Sequence, residues 1–233
     1  MKIANILYIK SAKAKELKKL HSDKTFLSGI KKEPVDSAMI DTSGIVGNEV
    51  GDTIHHGGAN KAIMFISTKT YESLNTLAKV DFAYDSTAYY GENIVVDNID
   101  ESSVYVGDVL SIGEVKLEVS QPRQPCWKLS SATGVKDMTA IIYKNGLTGW
   151  YARVLKGGKI KKGDAIVLEK RAYPNLSIKA LNQIIIDPSS DKKLTDEAIE
   201  CEKLGYQFRD SLRARAKMND AKNEPFLYHK EPI

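Results

Sequence analysis

Apolar and polar positions fall into short runs over the first two thirds of the chain, a pattern typical of strands. Residues 2–9 and 62–67 are apolar and rich in β-branched side chains, which predicts two strands. Residues 25–50 form short runs broken by glycine and proline, as expected of strands joined by tight turns. Serine followed by helix-forming residues predicts an exposed helix over residues 11–20 and a capped helix over residues 67–79.

A weak internal repeat connects two of the predicted β segments. Residues 104–120 and 157–170 each contain a Gly-Asp pair followed by an alternating apolar strand. A Gly-Asp turn leading into such a strand is a hairpin signal, and two such units suggest strands that curl around a small barrel. Turns of this kind occur in any antiparallel protein, so an open sheet is the alternative. We favour the barrel.

The pattern changes after Arg171, where a proline-containing break at residues 172–175 ends the β-rich part. Helical periodicity then follows over residues 177–186, 195–204 and 206–218. The fold class predicted is therefore mainly β, with a β-barrel-like domain over residues 1–170 and a small α-helical domain over residues 171–233. A polar, mobile tail is expected from residue 219 onward.

Composition places the chain among ordinary globular proteins. Of its 233 residues, 42% are hydrophobic and 27% are charged, and no apolar run approaches the roughly 20 residues that a membrane-spanning helix needs. The N-terminal stretch lacks a secretory cleavage signal, so we expect a cytoplasmic protein without a membrane partner. Its two cysteines, Cys126 and Cys201, are too few and too far apart for a disulfide framework or a compact zinc site.

Net charge alone does not decide the partner. The formal value of +4 is mild and suits small anionic ligands as well as nucleic acid. A basic helix over residues 208–217 raises the alternative of nucleic-acid binding. Basic residues on an exposed helical face are usually only solvated, so nucleic acid is not the partner we expect.

The segment GDTIHHGGANKA at residues 51–62 is the first candidate site. Gly57 and Gly58 would let backbone N–H groups approach an anion such as phosphate, and Lys61 would supply positive charge. The alternative is a glycine-rich loop with solvent-exposed histidines, which spacing alone favours. The adjacent His55 and His56 project in different directions, and such pairs rarely chelate one metal.

The second candidate is the sequence GEN at residues 91–93. Gly91 can provide a turn, and Asn93 offers both a donor and an acceptor at the start of a strand. Taken alone, this short motif indicates no more than a hairpin.

The third candidate is QPRQPCWKL at residues 121–129. Pro122 and Pro125 restrict the backbone on both sides of Arg123, so the loop that holds Cys126 is stiff. A nearby arginine favours the thiolate, which is the form that ligates soft or high-valent metals. A free cysteine is also often a small buried hydrophobe, and for Cys126 the two interpretations are evenly balanced. Cys201, in a helical pattern, is interpreted as a packing residue.

These three motifs, in this order, resemble the MOSC domain, the fold at the C-terminus of molybdenum-cofactor sulfurases. The stand-alone bacterial YiiM-like proteins are the most similar subgroup. The resemblance spans most of residues 28–170, and residues 173–217 resemble the three-helix domain that follows MOSC in that subgroup. SQPRQPC, at residues 120–126, is its most specific element.

The resemblance implies a β-barrel-like domain that binds molybdenum cofactor, a pterin dithiolene with a phosphate tail. Cys126 matches the family's cysteine, which implies that its thiolate coordinates molybdenum and takes part in catalysis. Position in the motifs implies further cofactor-binding residues, namely His56, Gly57, Gly58, Lys61, Asn93 and Arg123.

The implied activity is an oxidoreductase that reduces the N–O bond of N-hydroxylated bases or amidoximes. Two cysteines cannot hold an iron–sulfur cluster of the ferredoxin type, so the electrons would come from an external reductase. Trp127 and Tyr151 are candidates to border a flat substrate, although a buried packing role is the more common one for such residues. The helical domain is a possible homodimer contact.

Two other functions stay open at this point. In the first, the chain delivers molybdenum cofactor, or carries sulfur as a persulfide on Cys126, without turnover of its own. In the second, it is an ordinary thiol enzyme in which His55 or His56 is the base for Cys126.

Overall fold

The structure is a computed structural model in which residues 1–218 are described. The strands, in chain order, are β1 (Lys2–Ser11), β2 (Lys15–Lys18), β3 (Thr25–Ser28), β4 (Glu33–Val35), β5 (Ser37–Asp41), β6 (Gly44–Ile45), β7 (Ile63–Ser67), β8 (Ile94–Val96), β9 (Val109–Ile112), β10 (Val115–Pro122), β11 (Trp150–Lys156), β12 (Gly158–Lys161) and β13 (Ala165–Lys170). The helices are α1 (Thr53–His56), α2 (Thr68–Ala78), α3 (Lys128–Thr133), α4 (Met138–Asn145), α5 (Ile178–Ile186), α6 (Lys192–Glu200) and α7 (Tyr206–Met218), with a 3-10 turn at Ala59–Lys61.

Seven strands form a closed β-barrel. Their hydrogen-bonded order is β13, β9, β10, β11, β7, β8 and β1, and β1 pairs back with β13 to close the barrel. Neighbouring strands are antiparallel except β7 and β8, which run parallel. The predicted barrel and the mainly β fold class are confirmed. Closure satisfies the edges that an open sheet would leave exposed.

The barrel core follows from the apolar runs in the sequence. Every residue of β7 and β8 is buried, as their continuous apolar character predicts. Phe65 and Trp150 are register partners on β7 and β11, and their rings stack with centroids 5.8 Å apart. The helix predicted over residues 67–79 is α2, with Ser67 as its N-cap, because the Ser67 hydroxyl accepts a hydrogen bond from the Thr70 N–H.

Several predicted elements are wrong. Residues 11–20 are not a helix, because β1 extends to Ser11 and Lys15–Lys18 pair with Thr25–Ser28 in a two-stranded hairpin. The Gly163-Asp164 pair does not form a hairpin either, since β12 pairs with β5 while β13 pairs with β1 and β9. Strand pairing with distant segments overrides the local signal in both places. Helices α3 and α4, within the β-rich part, were not predicted.

The C-terminal helices pack directly on the barrel. Helices α5 and α7 match their predicted ranges, whereas α6 spans Lys192–Glu200 rather than residues 195–204. Buried side chains of the three helices, such as Leu181 and Phe208, belong to the same hydrophobic cluster as the barrel core. A boundary between two domains at residue 170 stays a prediction. The predicted tail, from residue 219 onward, lies outside the described residues.

The basic residues of α7 make contacts within the protein. Arg209 and Arg213 donate hydrogen bonds to the carbonyl oxygens of Cys201 and Ile199 at the end of α6. Arg215 donates to the Ile186 carbonyl, the last residue of α5. Cations at helix C-termini satisfy carbonyls that lack a partner within the helix. Over residues 1–218, no helix has the length and apolar character that a membrane span requires.

Candidate functional site

All the residues predicted for cofactor binding surround one cavity. Its volume is about 400 Å³, and it lies beside the barrel between the segment 51–62, the loop after β10 and the residues before β8. The structure thus brings three motifs that are distant in sequence to one place. The predicted residues that line the cavity are His56, Gly57, Gly58, Lys61, Asn93, Arg123 and Cys126.

Cys126 is held by a rigid loop that connects β10 to α3. Pro122 is the last residue of β10, and Pro125 fixes the backbone just before the cysteine. The Cys126 carbonyl accepts hydrogen bonds from the Leu129 N–H at 3.0 Å and the Thr139 hydroxyl at 2.9 Å. The thiol is only partly buried and faces the cavity. Backbone anchoring therefore fixes the position of an accessible sulfur.

The two adjacent histidines point in different directions. His56 faces the cavity, with its Nε2 atom 3.6 Å from the Cys126 sulfur. His55 is exposed, and its ring lies 3.1 Å from the carboxylate of Asp52. Asp52 also caps α1 by accepting a hydrogen bond from the His55 N–H. Among residues 1–218, no group of three or more His, Cys, Asp or Glu side chains is arranged to hold a metal ion.

An ion pair joins the two loops on which these side chains lie. The ammonium group of Lys128, at the start of α3, is 3.0 Å from the second carboxylate oxygen of Asp52. Burial opposes ionisation of Asp52, but its hydrogen bonds to His55 and Lys128 prevail and hold the pKa of the carboxyl below its usual range. The pair keeps the loop of His56 next to the loop of Cys126.

Gly58 supports the close approach of backbone to the cavity. Its φ of +96° with a ψ of 161° lies in a region that is essentially restricted to glycine. Gly58 caps the 3-10 turn that ends with Lys61, whose ammonium group donates to the His55 carbonyl at 2.6 Å. That hydrogen bond leaves the charge of Lys61 beside the cavity without a carboxylate partner among the described residues.

Positive charge determines the electrostatics of this site. Burial, reinforced by the cations of Lys128 and Arg123, lowers the pKa of His56 to about 3, so its imidazole is neutral at pH 7. Burial and repulsion from Arg123 lower the pKa of Lys61 to about 8. Burial is the larger cause of both shifts, and the neighbouring cations add to it.

Arg123 is buried and incompletely bonded. Only 5% of its surface is exposed, yet its Nε and Nη1 atoms have no hydrogen-bond partner among the described residues. Leaving a buried charged donor unpaired is costly, so such a group in a cavity wall indicates a ligand that accepts its hydrogen bonds. The neighbouring hydroxyl of Tyr151 also lines the cavity and interacts with Arg123.

Asn93 has a structural role. Its side-chain oxygen accepts a hydrogen bond from the Met64 N–H at 3.1 Å, and its amide nitrogen donates to the Lys10 carbonyl at 3.3 Å. These bonds connect β7 to β1 at the cavity wall. Asn93 lies at the cavity as predicted, and its contact with a cofactor stays a prediction.

The two aromatic candidates differ in position. Tyr151 lines the cavity, whereas Trp127 is not among its lining residues. Trp127 packs edge to face against Phe26, with ring centroids 4.9 Å apart, and Lys19 lies over its ring. Trp127 therefore has a packing role and does not border the cavity.

Sequence reasoning missed a set of buried charged residues behind and along the cavity. Lys10 and Glu92 are fully buried and form an ion pair at 2.6 Å, and the Tyr71 hydroxyl donates to the same Glu92 oxygen at 2.6 Å. Lys32 lines the cavity with 5% of its surface exposed, and its ammonium group donates to the Gly91 carbonyl. Glu92 lies within the GEN motif, which was the one available signal.

Comparison with known proteins identifies the family. Residues 52–167 match the MOSC domain. The chain belongs to the MOSC domain family. The matched segment contains Cys126 and every other residue predicted for cofactor binding.

Individual relatives agree with the assignment to MOSC. YflK of Bacillus subtilis is 34% identical over 165 residues, which is 70% of this chain and 73% of YflK. A protein named "Reductase" from Gibberella moniliformis is 33% identical over 160 residues, or 68% of this chain, but the aligned part is only 28% of that protein. The crystal structure of YiiM from Geobacillus stearothermophilus superposes with a TM-score of 0.74 at 25% identity, covering 91% of this chain and 98% of YiiM.

Proposed function

We propose that this MOSC protein binds molybdenum cofactor in the cavity and reduces N-hydroxylated compounds. The observation that carries the proposal is the thiol of Cys126, which faces a cavity of about 400 Å³ whose wall contains the unpaired donors of Arg123. A soft ligand for a metal and a receptor for anionic oxygen thus lie in one cavity. N-hydroxylated bases and amidoximes are the substrates that the family resemblance favours.

The residues present fit a cofactor of this kind. Cys126 would hold the metal, because a thiolate is a suitable ligand for molybdenum and the loop fixes its position before any ligand binds. Arg123 and Lys61 would contact anionic oxygens of the cofactor, with His56 beside the sulfur. The chemistry supplied by the bound cofactor is a two-electron reduction of the N–O bond, with the oxygen released as water.

The protein's own groups would position the reactants and control charge. His56 is neutral at pH 7, so it adds no positive charge to those of Lys61, Arg123 and Lys128 nearby. Tyr151 presents an aromatic surface in the cavity wall for a flat substrate. The electrons would come from a separate reductase, and two free cysteines suit a reducing cytoplasm.

The alternative thiol enzyme is disfavoured by the electrostatics of the site. The geometry for it exists, since His56 Nε2 is 3.6 Å from the Cys126 sulfur. A histidine whose pKa is lowered to about 3 is, however, a poor proton acceptor near neutral pH. The related proposal of a cofactor or sulfur carrier uses the same residues, and only turnover separates it from a reductase.

Turnover of a defined substrate tests the reductase directly. We expect the protein loaded with molybdenum cofactor and supplied with a chemical reductant to convert an N-hydroxylated base and an amidoxime to their reduced products. The products are measured by chromatography. Cys126→Ser should reduce this rate by more than about 100-fold. Mutating a residue that only hydrogen-bonds to a metal ligand already reduces activity by about 10- to 100-fold, and Cys126 would be a ligand itself. Cys201→Ala, which changes the other cysteine, should retain it. A loaded protein without turnover would favour the carrier.

A further inference from the structure

The cavity wall contains an excess of positive charge. Lys32, Lys61 and Arg123 all line it, and none of the three forms a salt bridge with a carboxylate among the described residues. The acidic residues that line it are already paired, Glu49 with Lys13 at 2.7 Å and Asp52 with Lys128 at 3.0 Å. A ligand that neutralises the wall must therefore bring negative charge.

Lys32 is the most deeply buried of the unpaired lysines. Its ammonium group has one neutral acceptor, the Gly91 carbonyl, although burying a cation normally requires an ionic partner. The nearby carboxylate of Glu92 already accepts hydrogen bonds from Lys10, the Tyr71 hydroxyl and the Tyr90 N–H. Two donors of Lys32 remain for a ligand, because an ammonium group has three.

A second unsatisfied donor lies in the same wall. Tyr90 has 1% of its surface exposed, lines the cavity, and its hydroxyl has no hydrogen-bond partner among residues 1–218. Gly91, the next residue, has a φ of +78° and presents its carbonyl to Lys32. Lys32, just before β4, is thus bonded to the residue next to Tyr90, and both residues line the cavity.

We propose that Lys32 and Tyr90 form a subsite for a phosphate monoester group. Phosphate provides several strong acceptor oxygens and about two negative charges near neutral pH, which matches one ammonium donor, one hydroxyl donor and the excess charge of the wall. This inference rests on the proposed function in one respect, since the phosphate tail of the cofactor is one source of the group. A free phosphate ester is the other source. The assignment moves the phosphate from the glycine loop of residues 57–58 to the segment before β8.

Inorganic phosphate is the probe, titrated calorimetrically into the full chain without cofactor. We expect saturable binding that weakens by about 10-fold or more in Lys32→Met, because a charged hydrogen bond is lost. Lys31→Met removes the same charge at the neighbouring position, which does not line the cavity, and should bind within about twofold of the parent. Tyr90→Phe removes only a hydroxyl and should weaken binding by a smaller factor.

The outcomes separate the subsite from the rest of the account. Parent protein that does not bind phosphate at millimolar concentration, or a Lys32→Met protein that binds as tightly as the parent, would overturn the subsite. Loss of phosphate binding when the protein is loaded with cofactor would identify the cofactor's tail as the occupant, and retained binding that depends on Lys32 would identify a free ester. Phosphate binding requires no molybdenum, so the subsite can hold even where the proposed reductase fails.

Discussion

Two buried lysines, Lys10 on β1 and Lys32 just before β4, show how one residue type can serve the fold or a ligand. Lys10 is fully buried with a carboxylate 2.6 Å from its ammonium group, whereas Lys32 is buried at the cavity with only a carbonyl. The first lysine is neutralised within the protein. The second has no carboxylate partner among residues 1–218.

This difference separates buried charge that stabilises the fold from buried charge that is available to a ligand. The Lys10–Glu92 pair connects β1 to the GEN segment, and Glu92 also accepts hydrogen bonds from the Tyr71 hydroxyl and the Tyr90 N–H, so the pair specifies how those segments meet. At the cavity, Lys32 and Arg123 lack carboxylate partners, which costs stability until a ligand binds. Unpaired buried charge is therefore the feature that distinguishes the site from the core.

Removing each lysine in turn should produce the largest contrast. Lys10→Met leaves Glu92 buried without its cation, so we expect the free energy of unfolding to fall by about 3–5 kcal/mol in urea titrations. Lys32→Met removes a charge that has no ionic partner, so at pH 7 it should not lower the free energy of unfolding of cofactor-free protein by more than about 1 kcal/mol. Equal losses in the two variants would contradict the distinction between paired and unpaired charge.

A smaller effect should appear in the pH dependence of stability. Burial lowers the pKa of Lys32 from 10.5 to about 8, with Arg123 and Lys10 adding to the shift and Glu92 opposing it. Between the two values the unfolded chain binds a proton that the folded chain does not, so folding becomes more favourable as pH rises. We therefore expect the free energy of unfolding of the parent, relative to that of Lys32→Met, to increase by about 2 kcal/mol from about pH 8 to pH 10.

The measurement is a series of urea titrations of parent and Lys32→Met across that range, in cofactor-free protein. The comparison with the variant removes the contribution of the other titrating groups, which are common to both proteins. A difference between the two proteins that does not change with pH would show that the Lys32 ammonium group is stably protonated in the folded state.

Elements with a strong local pattern were predictable from the sequence. The apolar runs of β7 and β8, the capped helix α2 and the periodic helices α5 and α7 all have the expected structure. The failures lie where distant pairing decides the outcome. Lys15–Lys18 consists mostly of helix-forming residues, but it pairs with Thr25–Ser28 and turns Leu17 toward a hydrophobic cluster.

The site was partly predictable for a similar reason. Cys126, Arg123 and the residues of the glycine-rich loop belong to recognisable motifs, and folding brings them to one cavity. Lys10 and Lys32 carry no such signal, because a lysine in a sequence is by default expected at the surface. Their burial results from the pairing of β1 with β8 and from the segment before β8, which are contacts over more than fifty residues that no local pattern encodes.

Molybdenum and pterin content of the purified protein tests the central claim most directly. After expression in a host that makes the cofactor, we predict about one molybdenum per chain together with pterin in the parent and in Cys201→Ala. Folded Cys126→Ser should lose the metal, because the thiolate is the proposed protein ligand. Folded parent protein without molybdenum or pterin, or Cys126→Ser with the same metal content as the parent, would contradict the account.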